Sequence, residues 1–175
     1  MMKKIIEDYF QKSIAVKSDF LKKNIRNIEL AVNSIVDAFR GGSKLLVFGN
    51  GGSASDSLHI AAEFVGRFRK ERRALPVISL CSNTSAITAL ANDYGYDVVF
   101  IRQLEAFHKR GDLSLAISTS GNSASVVKAA KFVKSNGGYV ISFTGGNGGE
   151  LVSESDICFI VPSCETSIVQ EVHIT

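Results

Sequence analysis

Six residues between an apolar run and a helical one, Ser118-Thr119-Ser120-Gly121-Asn122-Ser123, carry four hydroxyls. A loop of this kind ahead of a helix offers what a phosphate needs: hydroxyl donors, free backbone N–H groups and the positive end of a helix dipole. Gly121 lets the backbone come close to a ligand. One Ser or Asn is enough to cap a helix, so this density of hydroxyls points to anion binding beyond capping. The loop has neither a P-loop lysine nor GxGxxG spacing, so the nucleotide fingerprints do not match. A second loop, Gly49-Asn50-Gly51-Gly52-Ser53, has adjacent glycines. It reads either as an ordinary strand-to-helix turn or as a nest of N–H groups facing a ligand. The similar TGGNGG at 144–149 lacks hydroxyls beyond Thr144 and reads as a flexible structural turn.

His59 and Glu63 lie four apart in the helix expected after GNGGS and share one face of it. Leu58, Ala61, Ala62 and Val65 supply core contacts, so neither residue is needed for packing. The pair reads as a surface hydrogen bond or, more sharply, as an acid/base carboxylate beside a metal ligand. Asn92-Asp93, before Tyr94 and Gly95, reads structurally as a helix stop. The basic stretch Arg67 to Arg73 is either a solvated loop or a segment with one arginine facing an anionic ligand.

These residues need elements to hold them. Apolar runs at Lys44–Phe48, Pro76–Leu80, Asp112–Ile117, Tyr139–Phe143 and Asp156–Val161 read as five strands. Helices are expected at Ser53 to about Val65, up to about Asn92, Ala124 to Ser135, and from near Ser167. Strand alternating with helix implies an α/β fold with a parallel sheet wrapped on both faces, which accounts for nearly continuous apolar strands. Ligands then sit beyond the carboxyl ends of the strands, where the hydroxyl and glycine loops fall. Ahead of the sheet, residues 1–42 read as a helical pair. One helix spans about Met2 to Lys22; the second carries a stripe of Ile25, Ile28, Val32, Ile35, Val36 and Phe39 and ends at Gly41 and Gly42. The pair either covers a face of the sheet or packs on another subunit. The chain reads as one domain, 1–175, with the α/β core at 43–175.

Composition narrows the class. The formal charge is +3 with 21% charged residues, and no concentrated basic stripe indicates nucleic acid. Cys81, Cys158 and Cys164 are odd in number and lack CxxC spacing, which argues against a disulfide framework and for a reducing compartment. Neither a signal peptide nor a membrane span is evident. The expectation is a cytoplasmic protein with no membrane partner.

Taken together, GNGGSASDSLHIAAEFVGRF, ITALANDYGYD, AISTSGNSASVVKA and IVQEVHI resemble the phosphoheptose isomerase family of sugar-isomerase (SIS) domain proteins over about residues 20 to 175. STSGNS alone marks only a SIS domain; the other motifs are specific to the phosphoheptose branch and its close relatives. The resemblance implies a flavodoxin-like, five-stranded parallel sheet and a homotetramer built around the N-terminal helices. It implies conversion of a phosphorylated seven-carbon sugar, sedoheptulose 7-phosphate, to D-glycero-manno-heptose 7-phosphate for bacterial surface polysaccharide. Ser118, Thr119, Ser120 and Ser123 would hold the phosphate. Asn50, Gly51, Gly52, Asn92, Asp93 and Gln170 would touch the sugar, and Arg67 would lie near the active site. Glu63 would move the proton, and His59, Glu63 and Gln170 would ligate one zinc ion per subunit.

The sequence also departs from the family pattern. A histidine expected eight residues after Gln170 falls past Thr175. This implies either a truncated final helix or a short variant, with His173 as a conceivable substitute ligand. Ser167 stands where the family often has aspartate. Beside the enzyme stands a second reading, a non-catalytic adaptor that binds the replication initiator protein, as close SIS relatives do. A sugar-phosphate sensor fused to a regulator is a third.

Overall fold

A computed structural model describes residues 1–175. Helix α1 runs unbroken over Met2–Arg40, where the sequence reading expected two helices. Nothing near Lys22 can stop it. The buried Asn24 donates its side-chain amide to the Phe20 carbonyl (2.9 Å), which turns a potential breaker into a helix-internal contact. The stop comes at Gly42, whose positive φ of 84° allows Ser43 N–H to close back on the Ala38 carbonyl at 2.9 Å.

Five parallel strands follow: β1 Leu45–Gly49, β2 Val77–Ser79, β3 Leu113–Ile117, β4 Tyr139–Gly145 and β5 Ile157–Val161. Their order is β2-β1-β3-β4-β5, with Leu45 opposite both Val77 and Leu113. The helices are α2 Gly52–Val65, α3 Thr84–Tyr94, α4 Val99–Phe107, α5 Ala124–Ser135 and α6 Thr166–His173. Helix α4 is not expected from the sequence. Its buried side, Val99, Phe100 and Leu104, repeats at helical spacing, but it begins directly after a short 3-10 turn at Tyr96–Val98 with no side-chain cap to announce it.

Strand residues alternate between two cores. Leu46, Phe48, Ala116 and Val140 meet α4 and α5 on one face. Leu45, Val47, Leu115, Ile117 and Ile141 meet α1 and α2 on the other. Fully burying a side chain such as Phe48 contributes roughly 1.5–3 kcal/mol. The apolar positions of α1 do not form a single stripe. Ala31 and Phe39 are buried against the sheet with Ile28 and Ile35 half-buried beside them, while Ile25, Val32 and Val36 face outward with Ile5, Ile6, Phe10, Ile14, Leu21 and Leu30. Covering the sheet is thus one role of α1, and a second apolar face remains exposed. At the amino ends of the strands, buried Asp112 accepts from Lys44 Nζ (2.5 Å), Lys44 N–H (3.0 Å) and Lys109 N–H (2.7 Å). Burial alone would raise its pKa, but these donors hold the carboxyl below the usual range.

Candidate active site

The strand order reverses between β1 and β3, since β1 leads outward to β2 and β3 leads outward to β4. Their carboxyl ends form the crevice where open α/β sheets bind ligands. Gly49 and Ile117 are in register there, and a Cβ on Gly49 would meet the Ile117 carbonyl at 2.8 Å. The two loops singled out in the sequence therefore leave the sheet side by side. Asn50 ties them together by donating its Nδ2 to Ser125 Oγ on α5 (3.1 Å).

The hydroxyl loop is held rigidly from beneath. Ser118 is buried, its N–H donating to Phe143 O (3.0 Å) and its Oγ to Ser123 Oγ (3.0 Å). Gly121 has φ 69°, and a Cβ there would fall 1.9 Å from the Gly148 carbonyl. Asn122 Oδ1 accepts from Glu150 N–H (3.0 Å). The TGGNGG turn is thus a packed buttress rather than a flexible link. Thr119 and Ser120 line an open polar cleft of about 430 Å³ with Gly146, Asn147, Cys164 and Thr166. The backbone N–H groups of Thr119, Ser120 and Ser123 have no partner within the chain. Unpaired N–H groups and hydroxyls at the start of α5 are the donor chemistry that suits an anion.

In the other loop, Gly51 adopts φ 57° and the N–H groups of Gly51 and Gly52 are likewise unpaired. Gly52 has a steric reason to be glycine, because a Cβ would meet Gln170 Nε2 at 2.3 Å. The Gln170 amide therefore stands over the start of α2. Helix α6, which carries it, is clamped by α1: Tyr9 OH donates to Glu171 Oε1 (2.8 Å), Ser13 to the other carboxylate oxygen, and Lys12 pairs with Glu165. Those hydroxyl donors hold the Glu171 carboxyl below its usual pKa. Ser167 lies exposed one residue after Thr166.

His59 and Glu63 share a helix face as expected, with His59 Nε2 3.4 Å from Glu63 Oε1. They line a separate cleft of about 380 Å³ with Phe64, Phe68, Arg72, Leu75, Ile174 and Thr175. Eleven residues from Gly52 to Glu63 amount to about 16 Å of helix. Within one chain, the phosphate loop and the acid/base pair line different clefts. Gln170 stands beside Gly52 at the start of α2, and no third His, Cys, Asp or Glu joins His59 and Glu63. His173 is not at hand to substitute. It is buried, 3.2 Å from the Thr144 carbonyl through Nε2 and 5.5 Å from the Phe143 ring. Burial pushes its pKa down to about 4, although the Thr144 contact opposes that shift.

Arg67 is exposed and paired with Glu71 at 3.5 Å, outside both clefts. Asn92 and Asp93 are exposed and hydrogen-bond each other (2.9 Å) at the end of α3. Two residues near the site carried no signal in the sequence reading. Tyr96 OH donates to Asn50 Oδ1 (2.9 Å) and fixes the amide that Ser125 holds from the other side. Asp56, one turn before His59, has a carboxylate oxygen that is buried without a partner. Burial raises its pKa against the opposing pull of His59. Its i, i+3 spacing to His59 was a visible clue, whereas the Tyr96 contact exists only in three dimensions.

A family profile for the SIS domain matches residues 8–145. The phosphoheptose isomerase of Roseiflexus sp. (strain RS-1) is 49% identical over 96% of this chain and 85% of its own length. That of Aquifex aeolicus (strain VF5) is 47% identical over 97% and 89%. The chain belongs to the phosphoheptose isomerase family. The solved structure of phosphoheptose isomerase GmhA from Neisseria gonorrhoeae superimposes with a TM-score of 0.93 at 36% identity, covering 99% of this chain and 93% of that one. The expected five-stranded SIS fold is therefore observed in this family member and in its solved relatives alike.

Proposed function

We propose that this chain interconverts sedoheptulose 7-phosphate and D-glycero-manno-heptose 7-phosphate. It is an aldose–ketose isomerase, in keeping with the family to which it belongs, and its product serves heptose biosynthesis. The observation that carries this reading is that one chain holds both a phosphate-ready loop at Ser118–Ser123 and the Glu63–His59 pair, in clefts that an assembly of copies would bring together. Aldose–ketose conversion moves a proton between adjacent carbons through an enediol, and Glu63 is placed to carry that proton. Thr119 and Ser120 bind the remote phosphate and hold the carbons in register with the base. Gly51 and Gly52 turn N–H donors toward the sugar oxygens, and Asn50, clamped by Tyr96 and Ser125, orients a polar group there. The adaptor reading gains no support from the relatives found.

The two halves of the site line separate clefts within one chain, and one side of α1 exposes an apolar row. Both features favour an oligomer, here a homotetramer, in which Glu63 of one copy serves the phosphate loop of another. The donor chemistry of His59 and Glu63, an imidazole and a carboxylate at 3.4 Å, suits two ligands of a zinc ion. Gln170 would have to reach them from another copy. Such an ion supplies Lewis-acid polarisation of the sugar oxygens. Three free cysteines fit a cytoplasmic location, and no helix is long and apolar enough to cross a membrane. Incubation with sedoheptulose 7-phosphate, followed by NMR of the products, tests the activity; binding without any aldose formed would overturn it. Metal analysis of the same purified sample tests for zinc.

A further inference from the structure

Helix α2 ends in a way its own sequence does not provide for. Its last turn has no basic residue, and Gly66 has φ −80°, which is not a left-handed cap. The carbonyls of that turn would be left without partners. Arg72, seven residues past the end of α2, returns to satisfy them. Its Nη2 donates to Glu63 O (2.8 Å), and its Nη1 to Phe64 O (2.8 Å), Gly66 O (3.1 Å) and Arg73 O (3.0 Å). Leu75 N–H adds a second bond to Phe64 O at 3.1 Å. A planar guanidinium can serve several carbonyls at once, and its charge complements the negative end of a helix.

One of these carbonyls belongs to Glu63. Arg72 thus grips the main chain of the proton-carrying residue and leaves the Glu63 side chain free to meet His59 in the cleft that Arg72 itself lines. We propose that Arg72 is a positioning residue for the isomerase, holding the last turn of α2 so that the Glu63 carboxylate meets the reacting carbons in register. The inference rests on the role of Glu63 given above. Lysine cannot replace the fork, because an ammonium is a point donor that reaches one or two carbonyls at a time.

The test compares full-length wild type with Arg72→Ala and Arg72→Lys, measuring kcat and KM for sedoheptulose 7-phosphate alongside hydrogen exchange of the Glu63–Gly66 segment. A small misplacement of a reacting group lowers rates by up to about 100-fold. We expect kcat of Arg72→Ala to fall roughly 10- to 100-fold with KM nearly unchanged, because the phosphate loop is untouched. Millimolar guanidinium ion should restore part of that loss without affecting wild type, and Arg72→Lys should fall between the two. Exchange should rise at Glu63–Gly66 and not across the sheet. Unchanged kcat, or a loss confined to KM, overturns the proposal. If Arg72→Ala does not fold, Arg72→Lys carries the test: wild-type kcat and exchange in that variant overturn it. Inactive wild type would instead overturn the proposed function, while the exchange measurement still decides whether Arg72 fixes the helix end.

Discussion

Glu63, the proposed proton carrier, has a short list of neighbours. Its side chain faces His59 at 3.4 Å, while its carbonyl is tied to Arg72. A carboxylate that shuttles a proton contributes about 10²- to 10⁴-fold in rate. Glu63→Gln keeps the shape and removes the base, so kcat should fall by about that factor, while calorimetry should show substrate still binding through the phosphate loop. Loss of binding together with turnover would place Glu63 among the anchors instead. Gly121 is the opposite case, a residue that matters for what it lacks. With φ 69° and a carbonyl 1.9 Å from any added Cβ, Gly121→Ala should lower stability. Backbone strain of this kind costs roughly 1–3 kcal/mol, and the clash adds to it. The same variant should raise KM, because the loop that presents Thr119 and Ser120 is displaced. Urea melts and steady-state kinetics read both effects.

At the scale of elements, α6 links the active site to the core. It carries Gln170 on one side, is held to α1 by Glu171, and buries His173 on the other. The buried ring is neutral at ordinary pH, since its folded value of about 4 lies below the unfolded 6.5. A depressed histidine leaves the unfolded chain binding more protons in that window, so its contribution to stability is fully present above about pH 6.5 and is lost as pH falls toward about 4. The loss approaches about 3 kcal/mol, at 1.36 kcal/mol per pKa unit. Thermal melts of the wild type should drop steeply between those pH values, and His173→Gln should flatten this acid limb. An unchanged limb in the variant would assign the acid sensitivity to other groups.

The whole molecule has two candidate half-sites in separate clefts and an apolar row on α1 that nothing in the chain covers. Mixing two inactive proteins probes whether copies share the work. Glu63→Gln supplies intact phosphate loops, and a Thr119→Ala, Ser120→Ala double variant supplies intact carboxylates. Random reassembly of copies around shared interfaces should restore about a quarter of the wild-type sites. If the mixture stays inactive although sedimentation shows mixed oligomers, each chain must complete its own site. Charge placed on the exposed row, as in Ile14→Asp, should dissociate the assembly and take activity with it.

The amino-acid sequence by itself determined much of this protein. Near-continuous apolar runs fixed five buried strands, because a parallel sheet covered on both faces tolerates little else. Hydroxyls packed into 118–123 and paired glycines at 51 and 52 marked the loops that leave the carboxyl ends of β3 and β1, and four-residue spacing put His59 and Glu63 on one face. Local chemistry suffices where neighbours in sequence are neighbours in space. Tertiary structure decided the rest. It made α1 one helix with two apolar faces, brought Tyr96 to Asn50 across 46 positions, and placed Gln170 over Gly52. It also put Glu63 and the phosphate loop in separate clefts and turned Arg72 back onto the end of α2. Such contacts depend on the order and direction in which elements pack, which no periodicity along the chain encodes.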